Sequence, residues 1–279
     1  MKSLARNLML IVLMCSTVAI KANDYVMLSP LDTAALPAIP RVDRGGNLVR
    51  SVLEKNAMWD NVQKQLSRHH FSEKCVMKMM KKMYGYTHKH YVSFPVAYWT
   101  TDPQGDSLLV SGRVYLPKRR YLNGIVIANH YTMTSDIEVP SNMISMESVF
   151  TMKGYAVILP DYIGYGVTAD KVHPYLVMDL TARNVLDMYK AVVPFLKQAG
   201  CEPEHDDIYL MGYSQGGATT MAVQHLIEHH DEDVKLRRVF AGGGPYDVKA
   251  TYDRFVETDT ASYPCAVPIM MQGMVVGNK

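Results

Sequence analysis

Gly212-Tyr213-Ser214-Gln215-Gly216 decides how this chain is read, because it spells G-x-S-x-G at the junction of a strand-like and a helix-like run. Ahead of it, Asp207-Ile208-Tyr209-Leu210-Met211 is apolar and partly β-branched, the composition of a buried parallel strand. Gly217 to His230 follows with a helical pattern. A nucleophile on a sharp strand-to-helix turn draws neighbouring backbone so close that a Cβ two residues to either side would clash, hence the two flanking glycines. The serine hydroxyl is lifted clear of the sheet. The start of the helix also offers unsatisfied N–H groups, so an oxyanion forming on a substrate carbonyl meets donors already aimed at it.

Working outward, the chain alternates strand and helix. His90 to Thr101 and Ser107 to Leu116 read as strands joined by Asp102-Pro103-Gln104-Gly105-Asp106, which has hairpin turn chemistry. Ile125 to Asn129 is a continuous apolar strand, Ser141 to Lys153 a helix, Tyr155 to Leu159 a strand and Leu180 to Gln198 a helix. After the elbow and its helix, Val239-Phe240-Ala241 ahead of Gly242-Gly243-Gly244 reads as one more strand. An antiparallel entry followed by repeated strand-helix units predicts an α/β fold, a mostly parallel sheet with helices on both faces.

The N-terminal third is of a different kind. Lys2 and Arg6 precede the apolar run Leu8 to Met14, too short for a permanent membrane span, so residues 1–22 read as an export signal cleaved after Ala19 or Ala22. Cys15 offers a lipoprotein alternative, disfavoured by the bulky Met14 before it. Residues 23–89 form an extension. Asn23 to Arg44 is an extended lead-in, Leu48 to Leu66 has roughly helical apolar spacing, and Lys74, Lys78, Lys81 and Lys82 share a solvated helix face. The reading is a secreted or periplasmic, cell-envelope protein. After cleavage Cys75, Cys201 and Cys265 remain, compatible with one disulfide plus a free thiol or with three buried thiols.

Composition narrows the partners. Of 29 basic residues three lie in the signal segment, leaving 26 against 27 acidic residues in the body. Such a near-neutral surface gives no electrostatic reason to expect nucleic acid. His69-His70, His88 with His90, and His205-Asp206-Asp207 lack zinc spacing, and Gly242-Gly243-Gly244 opens no G-x-G-x-x-G helix. No metal and no cofactor is expected.

A serine hydroxyl is a weak nucleophile at neutral pH and needs a base, usually oriented by a carboxylate. In this elbow architecture the chain order is Ser, then Asp or Glu, then His. Past Ser214 the histidines are His225, His229 and His230, all on the helix leaving the elbow. His225 lies about 16 Å along that helix, out of reach of the hydroxyl. Asn129-His130-Tyr131-Thr132 ends a strand beside the elbow strand, and its loop is the expected source of a second oxyanion donor. The first donor is the N–H of Gln215; the second is that of Thr132, with Tyr131 as the fallback. His130 is read as a brace for this loop, with substitute base as its other role. Asp161 is read as a loop organiser, and Asp247 as a turn residue entering an insertion, with a displaced orienting carboxylate as the alternative.

The ordered set from Tyr98-Trp99-Thr100-Thr101 through Ser111-Gly112-Arg113-Val114-Tyr115-Leu116-Pro117, His130, Asp161-Tyr162-Ile163-Gly164-Tyr165-Gly166 and Gly212-Tyr213-Ser214-Gln215-Gly216-Gly217 resembles the secretory lipase family of α/β-hydrolases, over about Tyr91 to Tyr246. The resemblance implies a secreted esterase or lipase acting on a small-molecule ester or lipid, with peripheral lipid contact and Ser214 as nucleophile. It implies a hydrolase core over 90–247 and a lid insertion beginning over 248–279. It also implies a further stretch carrying the acid and the histidine, so the chain is expected to be incomplete at its C-terminus and inactive as it stands. Many relatives have glycine where this chain has Tyr131. A serine aminopeptidase or acyl-peptidase on the same scaffold, and a catalytically inactive remnant, are the competing readings.

Overall fold

The computed structural model describes residues 26–27, 42–44, 90–118, 120–142, 145–203, 207–230, 233–257 and 265–277. The export signal expected over 1–22, nearly all of the extension expected over 23–89, Cys15, Cys75 and the lysine-bearing segment at 74–83 lie outside the described residues. In chain order the strands are β1 (Val26–Met27), β2 (Val42–Arg44), β3 (His90–Thr101), β4 (Ser107–Pro117), β5 (Tyr121–Leu122), β6 (Ile125–Asn129), β7 (Ala156–Pro160), β8 (Glu202–Pro203), β9 (Asp207–Tyr213) and β10 (Lys235–Gly242). The helices are α1 (Met178–Gln198), α2 (Gln215–His230), α3 (Val248–Glu257) and α4 (Ala266–Gly277).

One sheet of eight strands runs in the order β1-β3-β4-β7-β6-β9-β10, with β2 also on β3. β3, β4 and β7 pair antiparallel, after which β7, β6, β9 and β10 are parallel. The β3–β4 hairpin turns on Asp102, whose side chain accepts from the N–H groups of Gln104 and Asp106, and on Gly105 at φ 89. β5 and β8 form a separate short parallel pair.

The apolar run of β6 is explained by burial on both faces. Ile125 and Ile127 belong to the main core with Val114, Ile158, Leu210 and Val185, Met188 and Val192 of α1, joined by Val223 and Ile227 of α2. Val126 and Ala128 face the other way, into a smaller cluster with Tyr91, Tyr115, Val157 and Leu159, against which Phe150 packs. Tyr98 and Thr100 of β3 reach α1 by hydrogen bonds to Asn184 and Asp187, at 3.2 and 2.6 Å. The α/β architecture is therefore as expected.

One expected helix is different. Ser141 to Lys153 is not a single helix: Met146–Lys153 is a 3₁₀ helix, capped by the Ser145 side chain at its start and by Gly154 at φ 89 at its end. The residues before it are committed elsewhere, Ser141 N–H to Asp161 and the Asn142 amide to Asp136. Local side-chain bonding has won over helix continuation. The lead-in before Arg44 contributes β1 and β2, which cover the outer edge of β3 on either side of Pro95, where a proline's missing N–H is tolerated.

Candidate active site

β9 ends at Tyr213 and α2 begins at Gln215, so Ser214 alone makes the turn. It does so at φ 57, a left-handed conformation that costs a non-glycine residue about 1–2 kcal/mol. Three backbone bonds hold it there. Its N–H donates to the Gly242 carbonyl at 2.9 Å, and its carbonyl accepts from Gly217 and Ala218 at 2.9 and 3.2 Å. A Cβ on Gly212 would overlap the carbonyl of Gly216, and one on Gly216 would overlap the carbonyl of Asn129. The two glycines of the motif thus let β6, β9 and the start of α2 meet backbone to backbone.

The register sets what stands beside the serine. Asn129 pairs with Gly212, so the loop after β6 and the elbow emerge from the same end of adjacent strands. The Asn129 amide donates to Thr220 Oγ1 of α2 at 2.9 Å, closing that corner. In the loop, Thr132 Oγ1 lies 2.7 Å from the Tyr175 hydroxyl. The Gln215 side chain is fully buried, its Nε2 2.7 Å from Nε2 of His173. His173 Nδ1 is 2.7 Å from the Ile163 carbonyl, which fixes that nitrogen as a donor and leaves Nε2 to accept from Gln215. Its ring is surrounded by those of Tyr162, Tyr165 and Tyr175, and desolvation pulls its pKa down to about 4.

His130 is buried, stacked on Tyr162 with centroids 4.0 Å apart. Its Nδ1 sits 2.7 Å from the Tyr131 carbonyl and its Nε2 3.0 Å from the Asp161 carbonyl. Burial lowers its pKa against the opposing pull of those carbonyls. Both nitrogens face backbone carbonyls, to one of which the neutral ring donates its single N–H, the geometry of a brace and not of a base. Asp161, also buried, accepts from the Ser111 hydroxyl at 2.5 Å and the Ser141 N–H at 2.8 Å. Burial pushes its carboxyl up to about 6. Nearby, Arg113 donates to the carbonyls of Pro140 and Ser141 and to Ser93 Oγ, tying the 136–141 turn to β3 and β4. Gly166 N–H donates to Asp136, and Val167 N–H to Ser111. Asp161 therefore organises loops. Asp247 accepts from the Ala250 N–H at 2.8 Å and caps α3.

The structure thus brings Ser214, Gln215 and the 130–132 loop to one end of the sheet. It places His225, His229 and His230 on the C-terminal half of α2, where the rings of His225 and His229 stack 4.2 Å apart. Among the described residues no histidine pairs a free ring nitrogen with a place beside Ser214. No group of three metal-ligating side chains occurs among the described residues, and neither Cys201 nor Cys265 forms a disulfide there. Sequence reasoning missed His173 and Tyr175. They lie in an irregular segment without motif or periodicity, and only folding brings them to the elbow and the loop.

A model of the secretory lipase family matches residues 129–276, more than half of the chain. No curated protein sequence matches it. Among solved structures, a presumed hydrolase from Legionella pneumophila is similar at 24% identity and a TM-score of 0.62, over 73% of this chain and 57% of its own. The rice cell wall degrading esterase LipA from Xanthomonas oryzae is similar at 22% identity and a TM-score of 0.51, over 62% of this chain and 48% of its own. The chain therefore spans only about half the length of these two proteins, and the likeness to them is one of fold. With the elbow, the sheet order and the family match in agreement, the chain belongs to the secretory lipase family and has the α/β-hydrolase fold.

Proposed function

We propose that the protein hydrolyses carboxylic esters by an acyl-enzyme mechanism with Ser214 as the nucleophile. The observation that carries this is Ser214 at φ 57 in a one-residue turn between β9 and α2, a strained placement that a merely structural serine would not need. Ser214 Oγ attacks the ester carbonyl. Its proton passes to a general base and then to the leaving alkoxide, so that an alcohol departs and an acyl-serine remains. Water, activated in the same way, attacks the acyl-serine and releases the acid. The oxyanion of each tetrahedral intermediate is held by the N–H of Gln215, at the first position of α2 where helical N–H groups lack partners, and by the N–H of Thr132. The base is not among the described histidines, given the engagement of His130 and His173.

The family name, with Lys2, Arg6 and the apolar run behind them, supports export. Residues 90–247 are the hydrolase core in this reading and α3 and α4 open a lid. Exposed Val256 on α3 and Met271 and Val275 on α4 suit contact with an acyl chain or lipid surface. Among the described residues no helix is long and apolar enough to cross a membrane. The test is covalent labelling of the full-length protein by a fluorophosphonate, together with p-nitrophenyl ester turnover. Both should be lost in Ser214→Ala; a variant that still labels and shows an acyl burst would remove Ser214 from its role.

A further inference from the structure

Residues 171–177 cross the site as an irregular strap. The strap turns tightly, the Tyr175 N–H donating to the His173 carbonyl at 2.8 Å and Leu176 taking φ 61. It is gripped from two sides. On one, Gly164 packs against the His173 backbone so closely that any Cβ would collide. On the other, Gly273 of α4 sits on the Tyr175 backbone, while Met270 packs with Tyr175 and Leu176. From this clamped position two side chains reach the site, His173 to the amide of Gln215 and Tyr175 to the hydroxyl of Thr132, each at 2.7 Å.

We propose that His173 and Tyr175 are positioning residues of the carbonyl pocket, holding Gln215 and Thr132 at one fixed spacing. This rests on the serine-hydrolase reading, in which those two residues offer the oxyanion N–H groups. The two donors come from different elements, the start of α2 and the loop after β6. No hydrogen bond between their side chains links them; the strap touches both. An oxyanion hole works only when its donors stand about 2.7–3.1 Å from the developing charge, and misplacement by about 1 Å costs on the order of 10²-fold. His173 suits the task because its Nδ1–H is committed to Ile163 and its Nε2 stays an acceptor throughout the neutral range.

The experiment uses the full-length protein, p-nitrophenyl ester kinetics and amide hydrogen exchange. Tyr175→Phe removes only the hydroxyl and keeps the ring on Met270. It should lower kcat about 5- to 30-fold with KM within about twofold. Thr132→Val deletes the other half of the same bond while keeping the backbone N–H, and should show the same loss. The double variant should be no worse than either single one. His173→Phe should lower kcat similarly, and His173→Gln, which keeps an acceptor for Gln215, should recover most of it. Independently of turnover, exchange should rise at 130–133 in Tyr175→Phe and at 214–217 in His173→Phe. Wild-type kcat in both strap variants, with turnover abolished in Ser214→Ala, overturns the strap and leaves the nucleophile standing. Additive losses in the Tyr175–Thr132 double variant overturn it too. Should Ser214→Ala keep full turnover, the serine reading falls, and unchanged exchange in both strap variants then sinks the strap on its own account.

Discussion

At the elbow, Ser214 is held by backbone bonds to residues three and four positions on and to Gly242, whereas the strap meets Gln215 and Thr132 across gaps of 42 and 43 residues. The elbow is made of main chain, and its tolerances are set by glycines that admit no Cβ. The strap is made of side-chain hydrogen bonds that can be removed one at a time. Backbone contacts at van der Waals distance fail all at once, and side-chain bonds fail by degrees. The elbow should therefore behave as a switch under mutation and the strap as a dial.

The largest effect expected is on chemistry. Ser214→Ala should lower ester turnover by about 10³-fold or more, against about 5- to 30-fold for His173→Phe. Equal losses, measured as kcat on the same ester, would break the division between the two regions. Next is stability. Gly216→Ala drives a methyl into the Asn129 carbonyl and should cost about 3 kcal/mol, seen as a lowered urea midpoint, or prevent folding outright. Tyr175→Phe should cost about 1 kcal/mol, seen as a smaller shift of the same midpoint. A Gly216→Ala protein as stable as Tyr175→Phe would show that the elbow yields where its geometry says it cannot.

A third test sets the loop carboxylate against the strap imidazole. Burial raises Asp161 from 3.8 to about 6, so the folded state binds its proton more tightly and stability falls as pH rises from about 4 to about 6. His173 is lowered from 6.5 to about 4, so below pH 6.5 the unfolded state takes the proton, and stability rises over about pH 4 to 6.5. The two slopes oppose each other. Asp161→Asn removes the falling one, so stability should climb more steeply between pH 4 and 6 than in the wild type, by up to about 1.4 kcal/mol per pH unit. Urea midpoints across that range measure it, and parallel profiles would mean that Asp161 does not titrate in this window. The smallest effect lies outside both regions. Asp247→Ala removes the cap of α3 and should cost about 1 kcal/mol with kcat within about twofold.

What the sequence made legible follows the same division. β3 and β6 have the bounds that alternation and apolar runs indicate, and the elbow announced itself through five contiguous residues. The helix expected over Ser141 to Lys153 was lost to contacts from Asp161 and Asp136, partners that periodicity within the segment does not register. His173 was illegible for the same reason, since Lys171-Val172-His173-Pro174-Tyr175 has no pattern of its own and acquires meaning only from Ile163, Gln215 and Thr132. His130 and Asp161 were readable as loop residues because each directly follows a strand.

The parallel pairing of β6 also carries a consequence for synthesis. Ile125 is flanked by Ala156 on one side and Ile208 on the other. At about 5–20 residues per second, a ribosome completes β7 seconds before it delivers β9. Through that interval Ile125-Val126-Ile127-Ala128 has one neighbour in place and an open, apolar edge on its other side, the kind of template on which a second nascent chain can pair. α1, made late in that interval, can shield a face of the sheet but not that edge. Slow codons between Gln198 and Asp207 would prolong the exposure, and chaperone demand during translation should rise with them.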